Sequence, residues 1–202
     1  MAVDVAAPSY GAPVTLGESA ARLTAGPLGP RIDFRFGTDV LDPSVDFPES
    51  TFDHVVLTHC SWYFTSLGQL RDTLARVRPW ARQLRFTEWD LTPATDDQFA
   101  RLLAVLIQGQ TEAAGSHGDG NVRTPFSREH LRPDSIEPVD TEGLQDGDWE
   151  IAASLELMGS DERLAALPQP VRQLLQSQTD VLRALAKPHG NRALAGYTVT
   201  AH

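Results

Sequence analysis

The sequence has little cysteine, little lysine and no long apolar run. The single cysteine, Cys60, excludes an internal disulfide and any zinc cluster built from several cysteines. No apolar stretch approaches the roughly 18–20 residues that a membrane-spanning helix needs. The amino terminus also lacks a basic segment followed by an apolar block, which is the pattern of a secretory signal. We therefore expect a cytoplasmic protein that does not enter a membrane.

The charge balance and the missing motifs exclude further classes of protein. Among 202 residues, 17 basic and 27 acidic side chains give a formal net charge of −10, which disfavours binding to the phosphates of nucleic acids. The phosphate-binding Gly-x-x-x-x-Gly-Lys loop and the Gly-x-Ser-x-Gly nucleophile elbow do not occur. No two histidines have the i, i+4 spacing of a helical zinc site and none has a glutamate partner at zinc spacing, so we expect no metal site among the six histidines, which are His54, His59, His117, His130, His189 and His202.

Hydrophobic periodicity predicts strands that alternate with helices. We expect strands at 2–6, 32–36, 52–58, 83–89, 149–156 and 196–201, and helices at 15–25, 67–77, 97–114 and 168–187, with a short helix after Ser160 and a helical turn over 127–131. The continuous apolar centre of 52–58 is typical of a strand covered on both faces. Residues 115–147 are rich in glycine and are predicted to be mostly irregular. The pattern indicates one α/β domain whose mainly parallel sheet carries helices on both faces, with room for an antiparallel strand near the end.

Polar groups follow four of the predicted strands. They are Asp4, the segment Gly37-Thr38-Asp39, the segment Thr58-His59-Cys60 and the segment Glu88-Trp89-Asp90. Ligands of open α/β sheets bind beyond the carboxyl ends of the strands, where an acid often accepts hydrogen bonds from a ribose. The same acids can instead cap helices or stabilise turns, and spacing alone does not separate the two interpretations.

Several of these segments, in this order, resemble class I S-adenosylmethionine-dependent methyltransferases. The stretch 47–59, with Phe47-Pro48 and then Phe52-Asp53-His54-Val55-Val56, is similar to the fourth strand of that family and its lead-in. Residues 70–79 followed by 84–89 resemble the next helix, its turn after Arg-Pro, and the fifth strand. The resemblance runs from residue 2 to about 91 and continues weakly to the last strand at 197–202. It implies a Rossmann-like methyltransferase sheet.

The resemblance also implies roles for particular residues. In a single domain of residues 1–202, residues 1–91 would form the cofactor side, and the helices and last strands of 92–202 the acceptor side. S-adenosylmethionine would be the cofactor: Asp4 would bind its ribose, Gly37, Thr38, Asp39 and Val40 would lie beside its adenine, and Thr58 and His59 would also contact it. His59, Cys60 and Trp62 would face the methyl-transfer region, and His59 would act as the general base for a hydroxyl acceptor. Trp62, Tyr63 and Trp89 would contact the substrate, although each also fits a role in core packing.

One departure from the family pattern is large. The family has a first strand and a glycine-rich turn before the acid that Asp4 matches, whereas only three residues precede Asp4 here. That strand would lie at the centre of the sheet. The chain is then a piece of a longer protein, or a protein whose strand at 2–6 moves or pairs with another subunit, as in a homodimer, or a degenerate relative. The predicted function is methyl transfer to a small molecule, impaired if the turn is absent, and the alternative is a non-catalytic scaffold or interaction module.

Overall fold

The computed structural model describes residues 1–11, 13–115, 120–131, 135–141, 143–144, 146–187 and 190–201. Its strands are β1 (Ala2–Val3), β2 (Phe34–Arg35), β3 (Phe52–Thr58), β4 (Ala81–Trp89), β5 (Glu137–Val139) and β6 (Gly196–Ala201). Its α-helices are α1 (Leu16–Thr24), α2 (Leu67–Val77), α3 (Phe99–Ala113), α4 (Asp146–Met158), α5 (Asp161–Ala165) and α6 (Gln169–Leu185). None of these described helices has the length and apolarity needed to cross a membrane.

The strands form two separate sheets. Strands β1 and β2 pair in parallel, and the other four have the order β3-β4-β6-β5. Strand β4 is parallel to β3 and antiparallel to β6, and β6 is antiparallel to β5. The antiparallel strand that the sequence allowed near the end of the chain is therefore β6, at the predicted position. The predicted α/β class is confirmed, but where one mainly parallel sheet was expected, two of the four described strand pairings are parallel and two are antiparallel.

Strand β3 has the predicted bounds, but the prediction that it is covered on both faces is wrong. It lies at the edge of the four-stranded sheet, and the Val56 side chain is 58% exposed. The apolar run of β3 is typical of a central strand, yet among the described residues only β4 pairs with it. Val56 belongs to none of the core clusters of the described residues, so they leave its side of the strand uncovered.

Helix α2 covers the other face of β3 and β4. Ser66 caps the helix by accepting a hydrogen bond from the Gln69 backbone N–H at 3.1 Å. Its apolar side chains then repeat every three or four residues, and Leu70 is fully buried against Phe86 of β4. Because Leu84, Phe86 and Glu88 alternate along β4, all three point to this covered face. The helix thus fixes the end of β4, where the polar groups lie.

Helices α3, α4 and α6 pack together in a second core that includes Ile107, Ile151 and Leu182. The prediction of a strand at 149–156 is wrong, because these residues belong to α4. The buried side of α4 contains Gly147, Glu150, Ile151, Ser154 and Met158, which have helical spacing. Two of these residues are polar, so a search for apolar periodicity does not detect the helix and finds a false alternation instead.

The remaining differences concern short elements. The predicted strands at 2–6 and 32–36 are reduced to β1 and β2. The region predicted to be irregular contains β5, an edge strand in which Pro138 is tolerated because an edge needs fewer backbone donors. The predicted turn after Ser127 is a 3₁₀ helix, Arg128–His130.

Candidate active site

The ends of β1 and β2 lie side by side, as the parallel arrangement requires. The Thr38 N–H donates to the Asp4 carbonyl at 2.9 Å, and the Gly37 N–H donates to the Ala6 carbonyl at 3.0 Å. Gly37 has a φ of +62°, and a side chain there would have no heavy atom within 4 Å. The structure therefore brings Asp4 and the 37–39 turn together, with open space in front of Gly37.

Both acids of this turn region stabilise local backbone. One carboxylate oxygen of Asp4 accepts from the Ala6 N–H at 2.8 Å, and one of Asp39 accepts from the Leu41 N–H at 2.8 Å. This is the turn role that the sequence left open. The second oxygen of each carboxylate makes no hydrogen bond to the described residues. The same groups therefore remain able to accept hydrogen bonds from a diol.

The residues after β3 make a sharp change of direction. His59 has a φ of +48°, in the left-handed region that side chains other than glycine rarely adopt. Its N–H still donates to the Thr87 carbonyl at 2.9 Å, so the residue remains attached to β4. Such a conformation costs of order 1–3 kcal/mol and often occurs at functional sites. The turn exposes Thr58 and leaves the His59 side chain 26% exposed.

The negative charge of Asp4, at the end of β1, affects the residues that follow β3. Burial raises the pKa of the Cys60 thiol to about 11, and the negative charges of Glu88 and Asp4 raise it further. Burial likewise raises the pKa of Tyr63, and Asp4 again contributes. Asp4, at the end of β1, therefore lies near the residues that follow β3. Cys60 remains a protonated thiol at neutral pH, so the structure favours a structural role for it.

Glu88 is a site residue to which the sequence assigned no role. It is 1% exposed, and its carboxylate accepts from the Ser61 N–H at 3.0 Å, the Ser61 hydroxyl at 2.5 Å and the Trp89 N–H at 2.9 Å. Its other near neighbour is His59, whose Nδ1 is 3.4 Å from Oε1. The sequence contains two signals for Glu88: it is one of the polar groups at the predicted strand ends, and it continues the buried alternation of Leu84 and Phe86.

The three predicted substrate residues separate into two groups. Trp62 and Trp89 are 5% and 6% exposed and pack in one core cluster with Val105 and Leu194. Tyr63 is 43% exposed beside them. Packing is therefore observed for both tryptophans, and their contact with substrate stays a prediction. The predicted adenine neighbour Val40 packs against the cluster around Val77, Trp80 and Leu84.

Trp89 links the site to the helical half of the chain. The centroids of the His59 and Trp89 rings are 4.1 Å apart, and the guanidinium carbon of Arg101 lies 3.9 Å from the centroid of the Trp89 ring. Arg101 is 1% exposed, and burial lowers its pKa although Glu150, Asp146 and Glu88 oppose that shift. Burial raises the pKa of Glu150, which accepts a hydrogen bond from Gln108 at 2.7 Å. Apolar periodicity does not single out Arg101, because the buried residues of α3 also include the polar Gln108 and Thr111.

The described residues contain no cluster of three or more histidine, cysteine or acidic side chains able to hold a metal ion. Of the six histidines, His117, His189 and His202 lie outside the described residues.

Two curated proteins that are similar to this chain are methyltransferases. Methyltransferases phomM and phomM' of Diaporthe leptostromiformis are each 38% identical to this chain over 90 residues, which covers 38% of the chain and 23% of theirs. This chain thus matches less than a quarter of the length of these curated relatives. No protein-family model matches it.

A solved structure matches nearly all of the chain. The cyclopropane-fatty-acyl-phospholipid synthase-like protein of Lactobacillus casei ATCC 334 superposes with a TM-score of 0.80 and 29% sequence identity. The match covers 98% of this chain and 73% of that one. The fold, the strand-end residues and these likenesses agree: the chain resembles the class I S-adenosylmethionine-dependent methyltransferases.

Proposed function

We propose that this chain binds S-adenosylmethionine and transfers its methyl group to a small molecule. The observation that carries the proposal is the near-complete superposition on the Lactobacillus casei protein, at 29% identity over 98% of the chain. The described strand ends supply acids where the cofactor of this family would lie.

The residues present fit the adenosine half of the cofactor. Asp4 is half-buried and offers one free carboxylate oxygen to the ribose diol, and Gly37 leaves open space beside it. Asp39 is exposed and would lie next to the adenine, together with Thr38. Val40 would support this turn from behind, since it packs into the core beneath.

The methionine half has fewer groups to hold it. In the family, a glycine-rich turn approaches that end of the cofactor, and the three residues before Asp4 do not contain one. Thr58 and His59 would be the nearest residues of this chain to that end. We therefore propose that the described residues bind the adenosine part of the cofactor directly.

The bound cofactor supplies a methyl group on a positively charged sulfur, which is already activated for displacement. The protein then has to orient the acceptor, exclude water and take up a proton where the acceptor has one. Tyr63 is the exposed aromatic residue closest to the site along the chain and would contact the acceptor. With a single cysteine and no disulfide to maintain, the chain suits the cytoplasm, where we place the activity.

Calorimetric titration with S-adenosylhomocysteine, the product form of the cofactor, tests this function. We expect binding by the unaltered chain. We also expect Asp4→Asn and Asp4→Ala to weaken binding at least about tenfold, or about 1.4 kcal/mol, because they remove a charged acceptor for the ribose. The Asn variant keeps an oxygen that can accept from the Ala6 N–H, so it distinguishes a loss of ligand binding from a loss of the turn.

The matched control is Asp33→Asn, which removes an exposed carboxylate that pairs with Arg35 at the start of β2. It should leave the affinity unchanged. Equal affinity in the Asp4 variants would remove the ribose assignment.

A non-catalytic scaffold is the second candidate, and the open edges of β1 and β3 favour it, because exposed strand edges readily pair with other chains. This alternative predicts no heat with millimolar S-adenosylhomocysteine. It would also leave the Asp4 variants indistinguishable from the unaltered chain in every binding measurement.

A further inference from the structure

The buried carboxylate of Glu88 lies directly behind His59. Its two oxygens receive three hydrogen bonds from Ser61 and Trp89, so its position is fixed by the backbone on both sides. The Nδ1 atom of His59 is buried, and it makes no hydrogen bond to the described residues. Oε1 of Glu88 lies 3.4 Å from it. Because a carboxylate only accepts hydrogen bonds, a buried ring nitrogen beside it is expected to carry a proton.

Two further contacts fix the orientation of the His59 ring. The backbone of His59 is held in the left-handed conformation by its hydrogen bond to Thr87, which directs the side chain toward the end of β4. The ring then lies 4.1 Å from the ring of Trp89. Since Nδ1 is buried, the exposed quarter of the side chain lies on its other atoms. The outward nitrogen is Nε2.

We propose that Glu88, held by Ser61, is a positioning residue that keeps His59 in the tautomer with its proton on Nδ1. Nε2 then carries a free lone pair on the outer side of the ring and is able to accept a proton. This inference rests on the proposed methyl transfer and gives it a substrate class: the acceptor is a hydroxyl compound, whose nucleophile has a proton to lose.

The proposed step balances as follows. The acceptor oxygen forms a bond to the methyl carbon while its proton moves to Nε2 of His59. The carbon–sulfur bond breaks, and its electron pair stays on the sulfur, which becomes a neutral thioether. Glu88 keeps its negative charge throughout and stabilises the imidazolium that forms.

The tautomer can be measured in the protein without cofactor. We would record the nitrogen-15 shifts of the His59 ring at a pH where it is neutral, with His59→Asn to identify its signals among those of the six histidines. The proposal predicts a proton on Nδ1, contrary to the preference of free histidine for Nε2. A proton on Nε2 would overturn it, whether or not the chain binds S-adenosylhomocysteine.

A pair of variants tests the role of Glu88. Glu88→Gln should shift the ring toward the Nε2–H tautomer, because an amide N–H would face Nδ1. Asp53→Asn removes the same charge from an exposed carboxylate on β3 that is paired with Arg82, and it should leave the tautomer unchanged. If Glu88→Gln folds and the tautomer does not shift, Glu88 does not position His59. If the variant does not fold, the tautomer of the unaltered chain decides.

Discussion

At the scale of single residues, the strand ends combine structural and chemical roles in the same side chains. Asp4 and Asp39 each use one oxygen to stabilise a turn and leave the other available. His59 adopts a strained backbone conformation and at the same time stacks on Trp89. The same carboxylate can therefore stabilise a turn with one oxygen and bind a ligand with the other, so the two roles do not exclude each other.

Cys60 gives a prediction about pH. Its pKa is raised to about 11, first by burial and then by the negative charge of Glu88, so only about a thousandth of it is thiolate at pH 8. Because the thiolate is the reactive form, alkylation by iodoacetamide should be roughly a hundredfold slower in the folded chain than in urea. The rate should rise steadily with pH toward 11.

The measurement is unambiguous, because Cys60 is the only cysteine in the chain. Rapid alkylation of the folded protein at pH 8, at the rate seen in urea, would show that the thiol is neither buried nor close to Glu88.

At the scale of elements, α4 joins the helical core to the segment before β6. Gly147 is buried where the helix passes this segment, and an added Cβ would lie 2.3 Å from the Asn191 carbonyl oxygen and 2.8 Å from that of Arg192. In addition, the Asp148 carboxylate accepts hydrogen bonds from the backbone N–H groups of Gly190 and Asn191, each at 2.9 Å. The start of α4 is thus specified by close backbone approach and not by apolar packing.

Gly147→Ala should destabilise the protein by about 1–3 kcal/mol, as overpacking of a rigid contact does. The gain in helix propensity is at most about 1 kcal/mol and does not offset a clash with backbone. Urea denaturation would measure the loss. The control is Gly143→Ala, whose new side chain would have no heavy atom within 4 Å and should change stability by less than about 0.5 kcal/mol. Equal stability of the two variants would contradict the packing of α4.

The elements that the sequence predicted well are those with an apolar stripe and a clear stop signal. Helix α2 matched its predicted bounds because Ser66 begins it and Pro79 follows it. Helix α4 and strand β5 escaped prediction because tertiary contacts override local pattern there: the buried face of α4 includes Glu150 and Ser154, and β5 contains a proline.

The candidate site was predicted in its positions more than in its contacts. The rule that ligands lie beyond strand ends selected Asp4, the 37–39 turn and His59; the structure places these strand ends near one another, and their contact with a cofactor stays a prediction. The hydrogen bonds from Ser61 to Glu88 join residues 27 positions apart in the chain, and no local pattern encodes them.

At the scale of the whole molecule, the sheet is divided where the family places its first strand. Strands β1 and β2 form one sheet and β3 begins the other, with an open edge on each side of the division. Val3 and Val5 at the edge of β1 are exposed, as is Val56 on β3. We therefore propose that this division is a place where a strand of a partner subunit pairs.

Hydrogen exchange tests whether the edge of β3 is open. The His59 N–H bonds to β4, so by alternation the amides of Val55 and Leu57 also face β4, whereas those of Val56 and Thr58 face away. We expect slow exchange at the amides of Val55 and Leu57 and fast exchange at those of Val56 and Thr58. Slow exchange at all four in a dilute monomeric sample would contradict an open edge. Slow exchange that appears only at high concentration would instead indicate pairing with a second copy.

The proposed binding of the cofactor at the ends of β1, β2 and β3 is tested most directly by a nuclear magnetic resonance titration of the backbone amides with S-adenosylhomocysteine. We expect concentration-dependent shifts at Ala6, Gly37, Thr38 and His59, which lie at these strand ends. No shift at millimolar ligand, or shifts confined to the opposite side of α3 around Leu106 and Gly109, would contradict it.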